Sequence, residues 1–253
     1  MTTFLAVMPV IWAQTSVPCI ESMIAPDSSL GLAPHEILVV DNTRHGEVPT
    51  WSVVPDAMRY HRDPDGHNLG VGRAWNVGAR ALLEEGLDYL VILSASMWWG
   101  YRLHTTFRAE IEANDGAPLV ELMGHSWHAI AIHRSTFERV GLFDPNFWPA
   151  YWEATEWGYR LRLVGIEGEG WPRVWCNALS MGQAIHVDRQ RWDAPACPSQ
   201  PLMDYYAAKW GAMSPDEVYE HPFDDPSKPI DWFEEPSIPE LAARYGIPKG
   251  AWW

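Results

Sequence analysis

Glu36-Ile-Leu-Val-Val-Asp-Asn42 decides the reading of this chain. It is a short apolar run, rich in β-branched residues, that stops on two polar ones. A run of this length and type is a strand buried on both faces. Upstream, Phe4-Leu-Ala-Val-Met-Pro-Val-Ile-Trp12 is a second such run, bounded by Gln14, Thr15 and Ser16. Downstream, Tyr89-Leu-Val-Ile-Leu93 is a third, ending at Ser94-Ala-Ser96. Helical patterns lie between them. Val17 to Ala25 has Ser16 as a cap and Pro18 in its first turn. Pro26 to Pro34 is loop. Trp51 to Val54 is a short further strand. Asn68 to Gly72 is a glycine-containing loop that leads into a helix over Arg73 to Glu85. Strand and helix alternate, which is the βαβ rhythm of a parallel sheet covered on both faces. The expected fold class is α/β, a mostly parallel sheet flanked by helices. In such sheets ligands bind beyond the carboxyl ends of the strands. Asp41 and the Ser94–Ser96 turn are therefore expected on one rim.

Beyond Met97 the rhythm changes. Helices are expected over Leu103 to Ala113, Ser135 to Val140, Glu153 to Val164 and Leu202 to Trp210, with Gly141, Gly165 and Gly211 as stops. Leu119 to Met123 and Ala129 to Ile132 read as strands, and Val174 to Ile185 as mixed strand and loop. After Met213 the chain is rich in Pro, Asp and Glu, with one amphipathic piece at Pro239 to Tyr245. The expected organisation is one domain over 1–212, with halves 1–96 and 97–212, and an extended tail over 213–253 that wraps it.

Composition narrows the function classes. The chain has 253 residues, 47% of them hydrophobic, which is enough to bury a large core. The formal net charge is −15. Such a surface repels phosphate backbones, so extended nucleic-acid or anionic-membrane binding is disfavoured. Cys19, Cys176 and Cys197 show no zinc spacing and read as reduced thiols. Phe4 to Trp12 lacks a basic flank, is interrupted by Pro9 and is too short to span a bilayer, so a cytoplasmic location is expected. The chain holds 16 tryptophans, and Trp98, Trp99, Trp127, Trp148, Trp152 and Trp157 crowd its middle. Buried tryptophan is usually core. A regional surplus also favours a carbohydrate site, because sugar C–H faces stack on indole rings.

Several motifs now stand in order: Met8-Pro-Val-Ile-Trp12, Val39-Val-Asp-Asn42, Asn68-Leu-Gly-Val-Gly-Arg-Ala-Trp-Asn-Val-Gly78, Leu90-Val-Ile-Leu-Ser-Ala-Ser96, Val140-Gly-Leu-Phe-Asp-Pro-Asn-Phe147 and Tyr151-Trp-Glu-Ala-Thr-Glu-Trp-Gly-Tyr-Arg-Leu-Arg162. Asp204-Tyr-Tyr-Ala-Ala-Lys-Trp-Gly211 follows. Over roughly residues 4–225 this set resembles the family 2 glycosyltransferases of the GT-A fold. The resemblance implies transfer of a sugar from a nucleoside diphosphate donor, such as a UDP-sugar, to a hydroxyl acceptor, with inversion in the family's manner. The donor-side positions it implies are Pro9, Val10, Asp41, Asn42, Asn68, Gly72, Arg73, Asn76, Ser94, Ala95 and Ser96. A strand-end carboxylate such as Asp41 accepts from a base imide or a ribose hydroxyl, or else bonds its own turn. Asn68 to Asn76 would bring a helix start to the phosphates, with Arg73 as a fork.

Two departures from the family pattern matter. Ser94-Ala95-Ser96 stands where the family carries an Asp-x-Asp turn holding Mn²⁺ or Mg²⁺, and hydroxyls are poorer ligands for these ions than carboxylates. His186 resembles a late histidine that some members give to the metal. Ala154 stands where the family has its catalytic Asp. Glu153 and Glu156, three apart at a helix start, are the remaining candidates for the base. They are equally ordinary partners of the helix dipole. Arg160, one turn on, is placed to pair with Glu156. Trp127, His128, Trp148 and Trp152 are the candidate sugar or acceptor wall, with His125 nearby, and Asp144 is expected to orient its loop. The alternative reading is a nucleotide- or carbohydrate-binding protein without catalysis. A sugar-phosphate nucleotidyltransferase is set aside, because Trp12-Ala-Gln-Thr-Ser-Val-Pro18 lacks the basic loop that class needs.

Overall fold

A computed structural model describes residues 2–11, 13–43, 54–124, 127–166, 171–180 and 199–248. The strands are β1 (Phe4–Val10), β2 (Ile37–Asp41), β3 (Arg59–Arg62), β4 (Tyr89–Leu93), β5 (Met97–Trp99), β6 (Leu119–Leu122), β7 (Ala129–His133), β8 (Arg173–Val174) and β9 (Ala178–Ser180). The helices are α1 (Ala13–Ile24), α2 (Gly70–Glu85), α3 (Phe107–Ala113), α4 (Arg134–Val140), α5 (Glu153–Leu163), α6 (Ser199–Trp210) and α7 (Ile238–Arg244). Seven strands form one sheet in the order β3-β2-β1-β4-β7-β6-β8. β7 runs antiparallel to β4 and β6, and the other pairings are parallel. The expected α/β architecture is the one observed.

Alternation along β1 builds two cores. Phe4, Ala6, Met8 and Val10 face a layer that includes Ile20 and Met23 of α1. Leu5 and Val7 face a layer with Ala74 and Leu82 of α2 and Trp157 of α5. A Cβ on Gly78 would lie 2.7 Å from Val7 Cβ, so the missing side chain lets α2 lie against β1. A third cluster, including Phe147, Trp148, Tyr206, Trp210 and Leu241, lies beneath the C-terminal segment.

Some elements differ from expectation for local reasons. α1 begins at Ala13, so Pro18 is inside the helix and Ser16 is not its cap. Pro18 is exposed, where a missing N–H is cheaply tolerated. α3 begins only at Phe107, where Thr106 accepts from Ala109 N. The third strand of the sheet is β3, an edge strand of sequence Arg-Tyr-His-Arg that shows no apolar run. Of the strand expected at 51–54, residues 51–53 lie outside the described residues. β5 and β9 pair across about eighty residues of chain as a separate small sheet. Among the described residues, no helix is long and apolar enough to cross a membrane.

Candidate active site

Register fixes the rim. Val10 of β1 pairs with Asp41 of β2, and Val7 pairs with Ile92 of β4. Asp41 and Ser94 therefore leave the sheet at the same edge, on either side of β1, with Pro9 and Val10 between them. Asp41 is buried. Its Oδ1 accepts from Thr43 N at 2.8 Å and from the Thr43 hydroxyl. Its Oδ2 accepts from the Tyr60 hydroxyl and from Arg62 Nη1 at 2.9 Å. A carboxylate has about four acceptor sites, and these bonds use them. The strand end thus presents Tyr60, 37% exposed, and Arg62 rather than a bare carboxylate. Burial, and then the bond to Asp41, pushes the Tyr60 phenol up to about 12. Sequence reading missed both groups. Their spacing, two residues apart on one strand face, was the available signal.

The glycine-rich start of α2 is a joint inside the protein. Asn42 Oδ1 accepts from Leu69 N at 2.9 Å, and its Nδ2 donates to Gly70 O. Asn68 Oδ1 accepts from Gly70 N, and Val71 N donates to Pro149 O at 2.8 Å. Asn76 exchanges both its amide bonds with the backbone of Phe143. Arg73 donates to Pro145 O at 3.3 Å and to Pro236 O, and desolvation pulls its pKa down. Val71 N and the Arg73 guanidinium are bonded by the 144–149 loop and the C-terminal segment, and Gly70 N by Asn68. Asn42, Asn68, Arg73 and Asn76 thus lock elements together instead of facing an open cleft. Gly72 has a packing role, since a Cβ there would sit 3.3 Å from Glu153 Cβ.

At the β4 end, Ser94 Oγ and Ser96 Oγ lie 2.7 Å apart in a hydrogen bond. Ser94 N donates to His128 O at 2.8 Å, which brings the exposed His128 to this turn. Two neutral hydroxyls bonded to each other do not fit Mg²⁺ or Mn²⁺, which select carboxylate oxygens. Elsewhere, Asp63, Asp65 and His67 follow β3 with ligand-type atoms within 4.8 Å of one another. Asp63 Oδ2 there accepts from the amides of Asp65 and His67. His125 and His186 lie outside the described residues.

The two candidate bases on α5 have opposite surroundings. Glu156 is fully buried between cations. Its Oε2 accepts from Arg160 at 2.8 Å and its Oε1 from Lys209 Nζ at 2.8 Å. Lys209 also donates to Asp144 Oδ2 at 2.7 Å. Burial raises the Asp144 pKa, yet Lys209 and the Asn146 donors hold it below the ordinary value. Arg160 also donates to Val140 O and Leu142 O at 2.6 and 2.7 Å. With both oxygens bound to cations, Glu156 is the centre of a buried ion network. The lone lysine in the apolar helix Asp204-Tyr-Tyr-Ala-Ala-Lys-Trp210 was the sequence sign of that network.

Glu153 is 5% exposed, and its Oε2 has no hydrogen-bond partner. Desolvation pushes its pKa up to about 8. It follows Tyr151 and Trp152, whose φ angles of 76° and 72° are strained for residues with side chains. Such strain concentrates at functional sites. Glu153 packs on Gly72, in the first turn of α2, and so lies at the rim side of the sheet.

The tryptophans divide. Trp127 stacks on Trp75 at 5.8 Å and meets Phe143 and Trp157 edge-on, as part of the core. Trp148 is 1% exposed, and its indole N–H donates to Asn68 O. Trp127 is partly buried with one face on Trp75, and Trp148 is closed off by burial. Trp152 is half-buried against Tyr206 at 5.3 Å.

The fold and rim define an α/β protein with a mostly parallel sheet, polar strand ends and a buried carboxyl beside them. The chain is similar to several solved structures. One is a putative nucleotide-diphospho-sugar transferase from Desulfovibrio desulfuricans, at 8% identity and TM-score 0.45, covering 78% of this chain and 90% of that one. Another is a Drosophila β-1,4-galactosyltransferase 7 mutant in complex with manganese, UDP-Gal and xylobiose, at 13% identity and TM-score 0.45, covering 75% and 74%. A third is a mannose-1-phosphate geranyltransferase from Thermus thermophilus, at 15% identity and TM-score 0.38, covering 69% of each chain. No family profile matches the chain, and no curated protein matches it in sequence.

Proposed function

We propose that this chain is a GT-A-type glycosyltransferase. It moves a sugar from a nucleoside diphosphate donor, a UDP-sugar or a relative, to a hydroxyl acceptor with inversion. The observation that carries the reading is the buried Glu153 carboxyl, whose Oε2 has no hydrogen-bond partner and whose pKa burial raises to about 8, beside the first turn of α2. A general base needs a pKa near the working pH and a free oxygen. Glu153 takes the acceptor proton as the acceptor oxygen bonds to the anomeric carbon. The bond from that carbon to the diphosphate breaks, and the nucleoside diphosphate leaves with the electron pair. Arg62 and backbone N–H groups at the rim offset the charge that develops on it. Asp41 acts by holding Tyr60 and Arg62, which make the strand-end contacts to the donor. The Ser94–Ser96 turn does not fit the divalent cation of the resemblance, so no step runs through a metal. We place the protein in the cytoplasm, a reading supported by the buried free thiols of Cys19 and Cys176.

The test is release of nucleoside diphosphate from a panel of sugar donors, with and without Mn²⁺ or Mg²⁺. Glu153→Gln should cost about 10²–10⁴-fold in kcat, the usual share of a general base. Absence of both transfer and donor hydrolysis in the unaltered protein would defeat the proposal. A second reading, a sugar-nucleotide-binding protein without turnover, is favoured by Ala154 and the mutually bonded Ser94 and Ser96, which stand at the catalytic and metal positions of the resemblance. Calorimetry with UDP separates the two, since binding without turnover supports the second.

A further inference from the structure

A cleft of about 250 Å³ lies between the second half of α1 and β5, on the layer opposite α2 and α5. Trp98, Trp99 and Tyr101 line it, with Glu21 and Asp27. We infer that it is a second binding site, for the neutral pyranose ring of a carbohydrate.

The cleft is built in advance. Ser22 Oγ accepts from Trp99 N at 3.0 Å and donates to Cys19 O, which fastens β5 to α1. Ser29 N donates to Gly100 O at 2.8 Å, and Arg102 N to Asp27 O at 2.7 Å. A Cβ on Gly100 would stand 2.9 Å from Trp98 Cζ3, so the Trp98 ring lies close over that glycine. Strand alternation sends Met97 and Trp99 into the core and leaves Trp98 outward, opposite Leu179. Tyr101 is 67% exposed.

The chemistry of the lining selects the ligand. Among the described residues no lysine or arginine lines the cleft, and two carboxylates do, which disfavours a phosphorylated ligand. Carboxylates are strong acceptors for ligand hydroxyls, and an outward indole is a platform for an apolar sugar face. A cage for an organic cation needs several ring faces around one point. Trp99 cannot supply one, because it is 2% exposed and packs on Phe107 at 5.8 Å. The volume falls below the roughly 300–1,000 Å³ of pockets for drug-sized ligands and suits one ring.

The probes are methyl glycosides of glucose, galactose, mannose and N-acetylglucosamine, read by saturation-transfer NMR and tryptophan fluorescence on the full chain. At least one should bind with a millimolar Kd. Trp98→Ala should weaken it tenfold or more, and Glu21→Gln with Asp27→Asn several-fold. Both variants should keep the melting temperature of the unaltered protein, because these side chains sit at the surface of the cleft. Three outcomes overturn the inference. They are no binding by any glycoside, binding unchanged in a folded Trp98→Ala protein, or binding of tetramethylammonium in preference to every glycoside. The readout needs no turnover, so its failure leaves the transferase reading standing, and the converse holds.

Discussion

Glu153 makes a prediction about stability as well as chemistry. Its carboxyl titrates at about 8 in the folded chain against 4.5 for the free group. The folded value is raised, so the protonated form favours the fold and stability is lost as pH rises from about 4.5 through 8. At about 1.36 kcal/mol per pH unit, the loss is roughly 1 kcal/mol at pH 5, roughly 3 at pH 7 and approaches about 5 above pH 8. Glu153→Gln keeps the shape and removes the titration. Its amide adds a cost of about 1–3 kcal/mol for unmet bonds, but that cost does not change with pH. The quantity to measure is therefore the difference between variant and unaltered protein in urea unfolding at pH 5, 7 and 9. Glu153→Gln should gain on the unaltered protein by about 2 kcal/mol or more between pH 5 and 7 and again by 1–2 between 7 and 9. Parallel curves across that range would refute the buried, unpaired carboxyl, and the proposed base with it.

Lys209→Met should cost about 3–5 kcal/mol at pH 7.5, because it strands Asp144 in the interior and leaves Glu156 with Arg160 alone; urea unfolding gives the value, and a loss under about 1 kcal/mol would contradict the network. That loss should shrink as pH falls, because a buried Asp144 without its lysine takes up a proton more readily. Gly78→Ala should destabilise despite a gain in helix propensity of about 1 kcal/mol, because overpacking against Val7 costs about 1–3 kcal/mol; thermal unfolding reads the sign. Ser94→Asp with Ser96→Asp should create a cation site, seen as a rise in melting temperature with Mn²⁺ larger than in the unaltered protein.

The sheet was legible where burial writes a continuous apolar pattern, as in Ile37–Val40 and Tyr89–Leu93. It was illegible at β3, whose edge position frees its residues to be charged, and at β5, whose partner lies far along the chain. The rim was legible because strand direction follows from the βαβ rhythm. The fate of its side chains was not. Nothing local in Asn68–Asn76 says that the 144–149 loop and Pro236 will satisfy its donors. The same holds for the two glutamates of α5. Their spacing marks both as candidates, while the choice between them depends on Lys209, which comes from another helix. Arg160 was legible as the partner of Glu156 because it stands one helical turn away.

The C-terminal segment closes on residues made long before it. Asn146 Nδ2 donates to Glu234 O at 2.9 Å, Tyr245 donates to Asn146 O, and Arg73 reaches Pro236 across 163 positions. During synthesis, the sheet edge and the start of α2 emerge from the ribosome well ahead of these partners. The joint around Arg73 and Asn146 can therefore lock only after residues 234–245 have left the ribosome. A nascent chain stalled near residue 215 would hold its strands but lack this clasp, and would expose Arg73 and the aromatic cluster at Phe147 to chaperones.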